Sequence, residues 1–192
     1  MAIATATRES ASIGSPAIRP AVAWTLVIVA IAVVYMLLLR QGHVWGDDFS
    51  MYVLHARNIA QGHAYADTPY VYNPDYAFLG PPSYPPVAPL LLAPVIYFAG
   101  LDLVAMKGVM VGSFVASIAF CTLCFHKRLR SEHVALLLVL VGLNIFYLRE
   151  MTSISSDAPF LMFLYLALWL IGRMIDVEPN KSPRVLHGLA VG

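Results

Sequence analysis

Charge is what this sequence has least of. Only 12% of its 192 residues are Asp, Glu, Lys or Arg, about half the roughly 25% usual in a soluble domain. Net charge is +1, and no basic run interleaves with aromatics. Nucleic acid is therefore not an expected partner. Cysteine is nearly absent: Cys121 and Cys124 stand alone inside an apolar run. Their CxxC spacing is that of redox and metal motifs, but no second pair or adjacent histidine cluster completes one. Cysteine as filler of a buried helix is the simpler reading. No glycine-rich phosphate loop follows a strand-like run, which counts against a soluble nucleotide-sugar enzyme. No repeat, heptad or low-complexity segment is present.

What fills the chain instead is apolar. Hydrophobic residues make up 59% of it, and the mean hydropathy is +0.73. Residues 1–20 are rich in Ala, Ser and Thr without an apolar period, and are expected to form a disordered cytoplasmic tail. Ala21 to Leu39 is an unbroken apolar run of 19 residues, long enough for a bilayer core of about 30 Å. No small-residue cleavage site follows it, so it is expected to stay as an anchoring helix rather than leave as a signal peptide. Further spans are expected at 103–125, 134–148 and 158–175. The start of a fifth at 185–192 makes the chain look like an N-terminal fragment.

Between the first two spans lies a long loop dense in Asp, His, Tyr, Gly and Pro. Phe49, Tyr52, Val53, Ala56 and Ile59 fall on one face at helical spacing, with Ser50, Arg57, Asn58 and Gln61 elsewhere. That pattern predicts an interfacial helix over 49–61, stopped by Gly62. A second is expected over 84–99, interrupted by Pro89 and Pro94 and too short to span. Charge agrees. If 84–99 does not cross, Arg8, Arg19, Lys127, Arg128, Arg130, Arg173, Lys181 and Arg184 lie inside, against Arg40, Arg57, Lys107 and Arg149 outside. A crossing would invert that ratio and break the positive-inside bias. The expected fold is thus an all-α integral membrane protein. It is a transmembrane helix bundle with interfacial helices in a long first external loop and a cytoplasmic N-terminus.

Two adjacent carboxylates, Asp47 and Asp48, sit just past the first span. Acids at that depth are costly unless they bind, cap or catalyse. One of the pair is a natural N-cap for the helix starting at Phe49. The other is then available as a general base towards a hydroxyl, and the two together could hold a divalent cation. Asp157 opens the fourth span, with Pro159 in its first turn, where a missing N–H costs nothing. His43, His55 and His63 match no zinc spacing and read as solvated loop residues. Tyr65, Tyr70, Tyr72, Tyr76 and Tyr84 read as interfacial aromatics or as platforms for sugar rings.

The order of first span, Gly46-Asp47-Asp48, a short amphipathic helix ending in a Gly-His-x-Tyr step, and the run PPSYPPVAPLLLAPVIYFAG resembles the GT-C superfamily of polytopic glycosyltransferases. The resemblance is greatest to the protein mannosyltransferases, aminoarabinose transferases and RgtA/B/C/D-like enzymes. It implies a bacterial inner-membrane enzyme that moves a sugar from a polyprenyl-phosphate donor to a glycan, lipid or protein acceptor on the external face. It implies Asp47 as catalytic base with Asp48 beside it, and Asp157, in SSDAPF, at the substrate pocket. Arg57 and Tyr84 are the further substrate-binding candidates. Some family members carry Lys before the Pro pair, where Ser83 and Tyr84 stand here, so that lysine's role does not carry over. The charge that meets the lipid phosphate is expected from Arg57, Lys107 or Arg149 or from the part of the protein beyond this sequence. The competing expectations are a transporter fragment and a non-catalytic membrane scaffold. The scarcity of charge at span centres counts against transport.

Overall fold

The computed structural model describes residues 20–43, 48–71, 75 and 80–177. Every regular element among them is helical. In chain order they are α1 (Pro20–Leu38), α2 (Phe49–Gln61), a 3-10 turn (Pro81–Ser83), α3 (Val87–Ala99), α4 (Leu103–Phe125), α5 (Ser131–Gly142), α6 (Ile145–Glu150) and α7 (Asp157–Val177). Helices α1, α4 and α7 are long and apolar enough to cross a membrane. The expected tail up to residue 19, Asp47 and the expected helix start at 185–192 lie outside the described residues.

Local chemistry sets most helix ends. Asp102 accepts from the N–H groups of Val104 and Ala105, both at 3.0 Å, and so caps α4. Gly62 ends α2 in the left-handed region at φ 70°, where a side chain would be strained. Helix α3 starts only at Val87 because Tyr84 precedes Pro85 and is held extended, at φ −78° and ψ 123°. Its 13 residues span about 20 Å, short of a bilayer core.

Helix α4 is the axis of the bundle and packs against α1, α3, α5 and α7. Helix α1 runs antiparallel to it. At one end the Trp24 indole donates to the Ser131 carbonyl at 3.3 Å and meets the His126 ring edge-on. Midway, Tyr35 lies on Phe114 with ring centroids 5.1 Å apart. At the other end the Lys107 ammonium donates to the carbonyls of Arg40, at 3.1 Å, and Gly42. The core follows this seam through Ile31, Tyr35, Met106, Met110, Phe114, Ile118, Val134 and Leu138.

The expected span over 134–148 needs correction. It is two helices, α5 and α6, parted by Leu143 and Asn144. Asn144 leaves helical geometry, and its side chain accepts from the Phe146 N–H at 2.9 Å, starting a new helix instead of continuing the old one. Gly142, just before the break, is a poor helix former, but it lets α1 come close. A Cβ there would collide with Ile31 Cδ1 and lie 3.1 Å from its Cγ1. The broken pass still carries the chain from the Trp24 end to the Lys107 end, where the Ile154 N–H donates to His43 Nε2 at 2.9 Å.

Candidate active site

Asp48 occupies the N-cap position of α2 but does not cap it with its side chain. The carboxylate instead accepts a hydrogen bond from the Tyr84 phenol at 3.0 Å, across 36 residues of sequence. That bond orients the carboxylate. The Tyr84 phenol is pushed up to about 12, first by burial and then by its hydrogen bond to Asp48 and that carboxylate's charge. It stays a donor throughout the physiological range.

Around this pair the aromatic residues form a connected group. Tyr52 meets Tyr84 edge-on at 5.7 Å, and its hydroxyl donates to Ser156 Oγ at 3.0 Å. Ser156 directly precedes Asp157, the first residue of α7, whose side chain is exposed. The structure therefore brings Asp48, Tyr84, Tyr52 and the entry to α7 to one end of the bundle. His43 anchors the same end from the other direction, stacked on Phe49 at 4.0 Å while accepting from the Ile154 N–H.

The other basic candidates have partners elsewhere. Arg57 is exposed on α2 and donates to Gln61 one turn along the same helix, at 3.3 Å; no contact joins it to Asp48 or Tyr84. Arg149 pairs with Glu150 at 3.7 Å on the surface. Lys107 is buried and gripped by the Arg40 and Gly42 carbonyls.

His55 is the residue that sequence reasoning misplaced. It is fully buried, not solvated, with its ring stacked on Tyr65 at 4.0 Å and tilted against Tyr84 at 5.8 Å. Its Nδ1 lies 2.7 Å from the Tyr65 carbonyl. That contact needs a proton on Nδ1, and Nε2 is buried with no partner among the described residues. Asn58, which falls off the apolar face of the sequence pattern, is also buried and donates to the carbonyls of Tyr65, at 3.2 Å, and Asp67, at 2.7 Å. The signal was there: positions 52, 55 and 58 fall on adjoining sides of a helix.

For a divalent cation, Asp48 offers a hard oxygen ligand. Among the described residues no three His, Cys, Asp or Glu side chains converge on it or elsewhere, while Asp47 and Tyr76 lie outside those residues, as does Tyr72. Cys121 and Cys124 are both free thiols. Cys121 borders a narrow cleft within the bundle, between α4 and the helices α5, α6 and α7, where Ser117, Tyr147 and Tyr165 also line the wall, and the Cys124 thiol donates to the Tyr165 carbonyl at 3.6 Å. No protein-family model, curated protein or solved structure matches this chain.

Proposed function

We propose that the chain belongs to a membrane-embedded glycosyltransferase that passes a sugar from a polyprenyl-phosphate donor to an acceptor hydroxyl on the external face of a bacterial inner membrane. The observation that carries the reading is the oriented Asp48–Tyr84 pair, joined through Tyr52 to Ser156 beside Asp157. It stands at one end of helices apolar enough to cross a bilayer. A donor tethered by its lipid tail presents its phosphate at that level.

In the proposed reaction an Asp carboxylate takes the proton of the acceptor hydroxyl. The resemblance assigns this to Asp47, with Asp48 beside it. The hydroxyl oxygen attacks the anomeric carbon as the bond from that carbon to the phosphate oxygen breaks. The lipid phosphate leaves with the electron pair, and configuration inverts. Tyr84 aims the Asp48 carboxylate beside it, and Tyr52 fixes the approach of α7. Of the basic candidates for the leaving phosphate, Arg57 and Arg149 are exposed, whereas Lys107 is held by the Arg40 and Gly42 carbonyls.

The test is transfer of labelled sugar from a polyprenyl phosphate in membranes carrying the full-length protein. Asp47→Asn and Asp48→Asn are expected to lower transfer at least 100-fold, the range of a general base, with normal insertion. Undiminished transfer in both variants would sink the reading. The interrupted third pass is the one observation on the side of transport, because broken helices line many transport sites. Solute uptake that survives both substitutions would favour that alternative.

A further inference from the structure

Tyr84 does not find Asp48 by itself. Its backbone is set by two contacts and one covalent restraint. Its N–H donates to the Pro81 carbonyl at 3.4 Å, a long bond, and its carbonyl accepts from the Tyr65 phenol at 2.8 Å. Pro85 confines it to extended geometry. Among the described residues Tyr65 is the donor that holds this carbonyl. Tyr65 is in turn fastened to α2: its ring is stacked on His55, and its own carbonyl faces both His55 Nδ1 and Asn58 Nδ2. A line of contacts thus leaves the buried face of α2, passes out through Tyr65 to the backbone of Tyr84, and returns through the Tyr84 phenol to Asp48 at the head of the same helix.

We infer that Tyr65 is a positioning residue for the Asp48–Tyr84 pair, its hydroxyl fixing the Tyr84 backbone so that the Tyr84 phenol meets the carboxylate. The inference rests on the proposed function for its catalytic meaning, though not for its geometry. Tyr65 has no contact with Asp48, so it acts only through Tyr84. If its job were to fill space, the ring stacked on His55 would suffice and the hydroxyl would be dispensable. The closed loop of contacts says otherwise. It also accounts for the buried polar residues on α2: His55 and Asn58 hold the residue that holds Tyr84.

Tyr65→Phe removes the hydroxyl and keeps the stacked ring. The full-length protein, labelled with 13C at the tyrosine ζ carbon and held in detergent, gives the phenol titrations directly, and Tyr84→Phe assigns the Tyr84 signal. In Tyr65→Phe the Tyr84 midpoint should fall from about 12 towards the ordinary 10, as its contact with Asp48 loosens. Asp48→Asn should lower it too, and adding Tyr65→Phe to Asp48→Asn should lower it no further. An amino donor at the same place, 4-aminophenylalanine at position 65, should restore the midpoint. In transfer assays kcat should fall about tenfold, equivalent to about 1.4 kcal/mol, with the donor KM unchanged. A Tyr84 midpoint unmoved by Tyr65→Phe, or not restored by the amino donor, overturns the inference. Midpoints that move as stated in a protein that transfers no sugar keep the positioning role and remove the catalytic one.

Discussion

Polar groups inside the bundle and polar groups at its acid end are satisfied in opposite ways. Along α4 the hydroxyls of Ser113, Ser117 and Thr122 each donate to a carbonyl three or four residues back in the same helix. They make no demand on neighbouring helices, whose fit there is a matter of shape. At the acid end the bonds cross long stretches of sequence: Tyr84 to Asp48, Tyr52 to Ser156, and the Ile154 N–H to His43. Directional bonds between distant segments fix position where packing alone would leave freedom. The shaft is specified by volume and the end by hydrogen-bond geometry. Substitutions should therefore fail differently in the two places.

The largest effect is expected in the shaft. Gly142→Val drives a branched side chain into Ile31 and should cost about 3 kcal/mol or more, read as a lower Tm in detergent, with Gly142→Ala in between. Lys107→Met tests the junction of the two regions. It leaves the Arg40 and Gly42 carbonyls without their donor and should cost about 2 kcal/mol, with faster proteolysis between residues 39 and 48. At the acid end Tyr84→Phe should reverse the pattern, with transfer lowered about tenfold, equivalent to about 1.4 kcal/mol, and a Tm drop well below that of Gly142→Val. A Tm drop as large as that of Gly142→Val would erase the distinction.

Alkali provides a subtler probe. The Tyr84 midpoint is raised in the fold from its ordinary value of 10.0 to about 12. Its contribution to stability is present in full below pH 10 and is lost as pH rises towards 12, because the unfolded chain gives up that proton first. Thermal melts from pH 9 to 12 should show the loss, reduced in Tyr84→Phe. Smallest of all, Arg130→Ala breaks an exposed pair with Glu132 at 2.8 Å and should change stability by no more than about 0.5 kcal/mol.

The same contrast explains what could be read in the sequence. Long apolar runs and stop residues announce helices locally, so α1, α4 and α7 were legible from their apolar runs and the limits of α2 from its apolar face and Gly62. The break at Asn144 was not, because Gly142-Leu143-Asn144 lies in a stretch whose average is apolar, and average hydropathy hides a single side chain that prefers to cap. The Asp48–Tyr84 bond was illegible for another reason. Both residues were singled out, but nothing in a separation of 36 positions says that the two side chains meet. His55 was misread because residue type was given more weight than its position on the buried side of α2.

Exposed connections are where proteins usually accept insertions and sequence drift. Residues 39–43 should be an exception. Although Arg40, Gln41 and Gly42 face outward, the grip of Lys107 is on the main chain of Arg40 and Gly42. The side chains of Arg40 and Gln41 can therefore change freely, while Gly42, at φ 74°, should stay glycine and the number of residues should not change. A one-residue deletion would misalign the acids that follow, as a dropped stitch shifts the rest of its row.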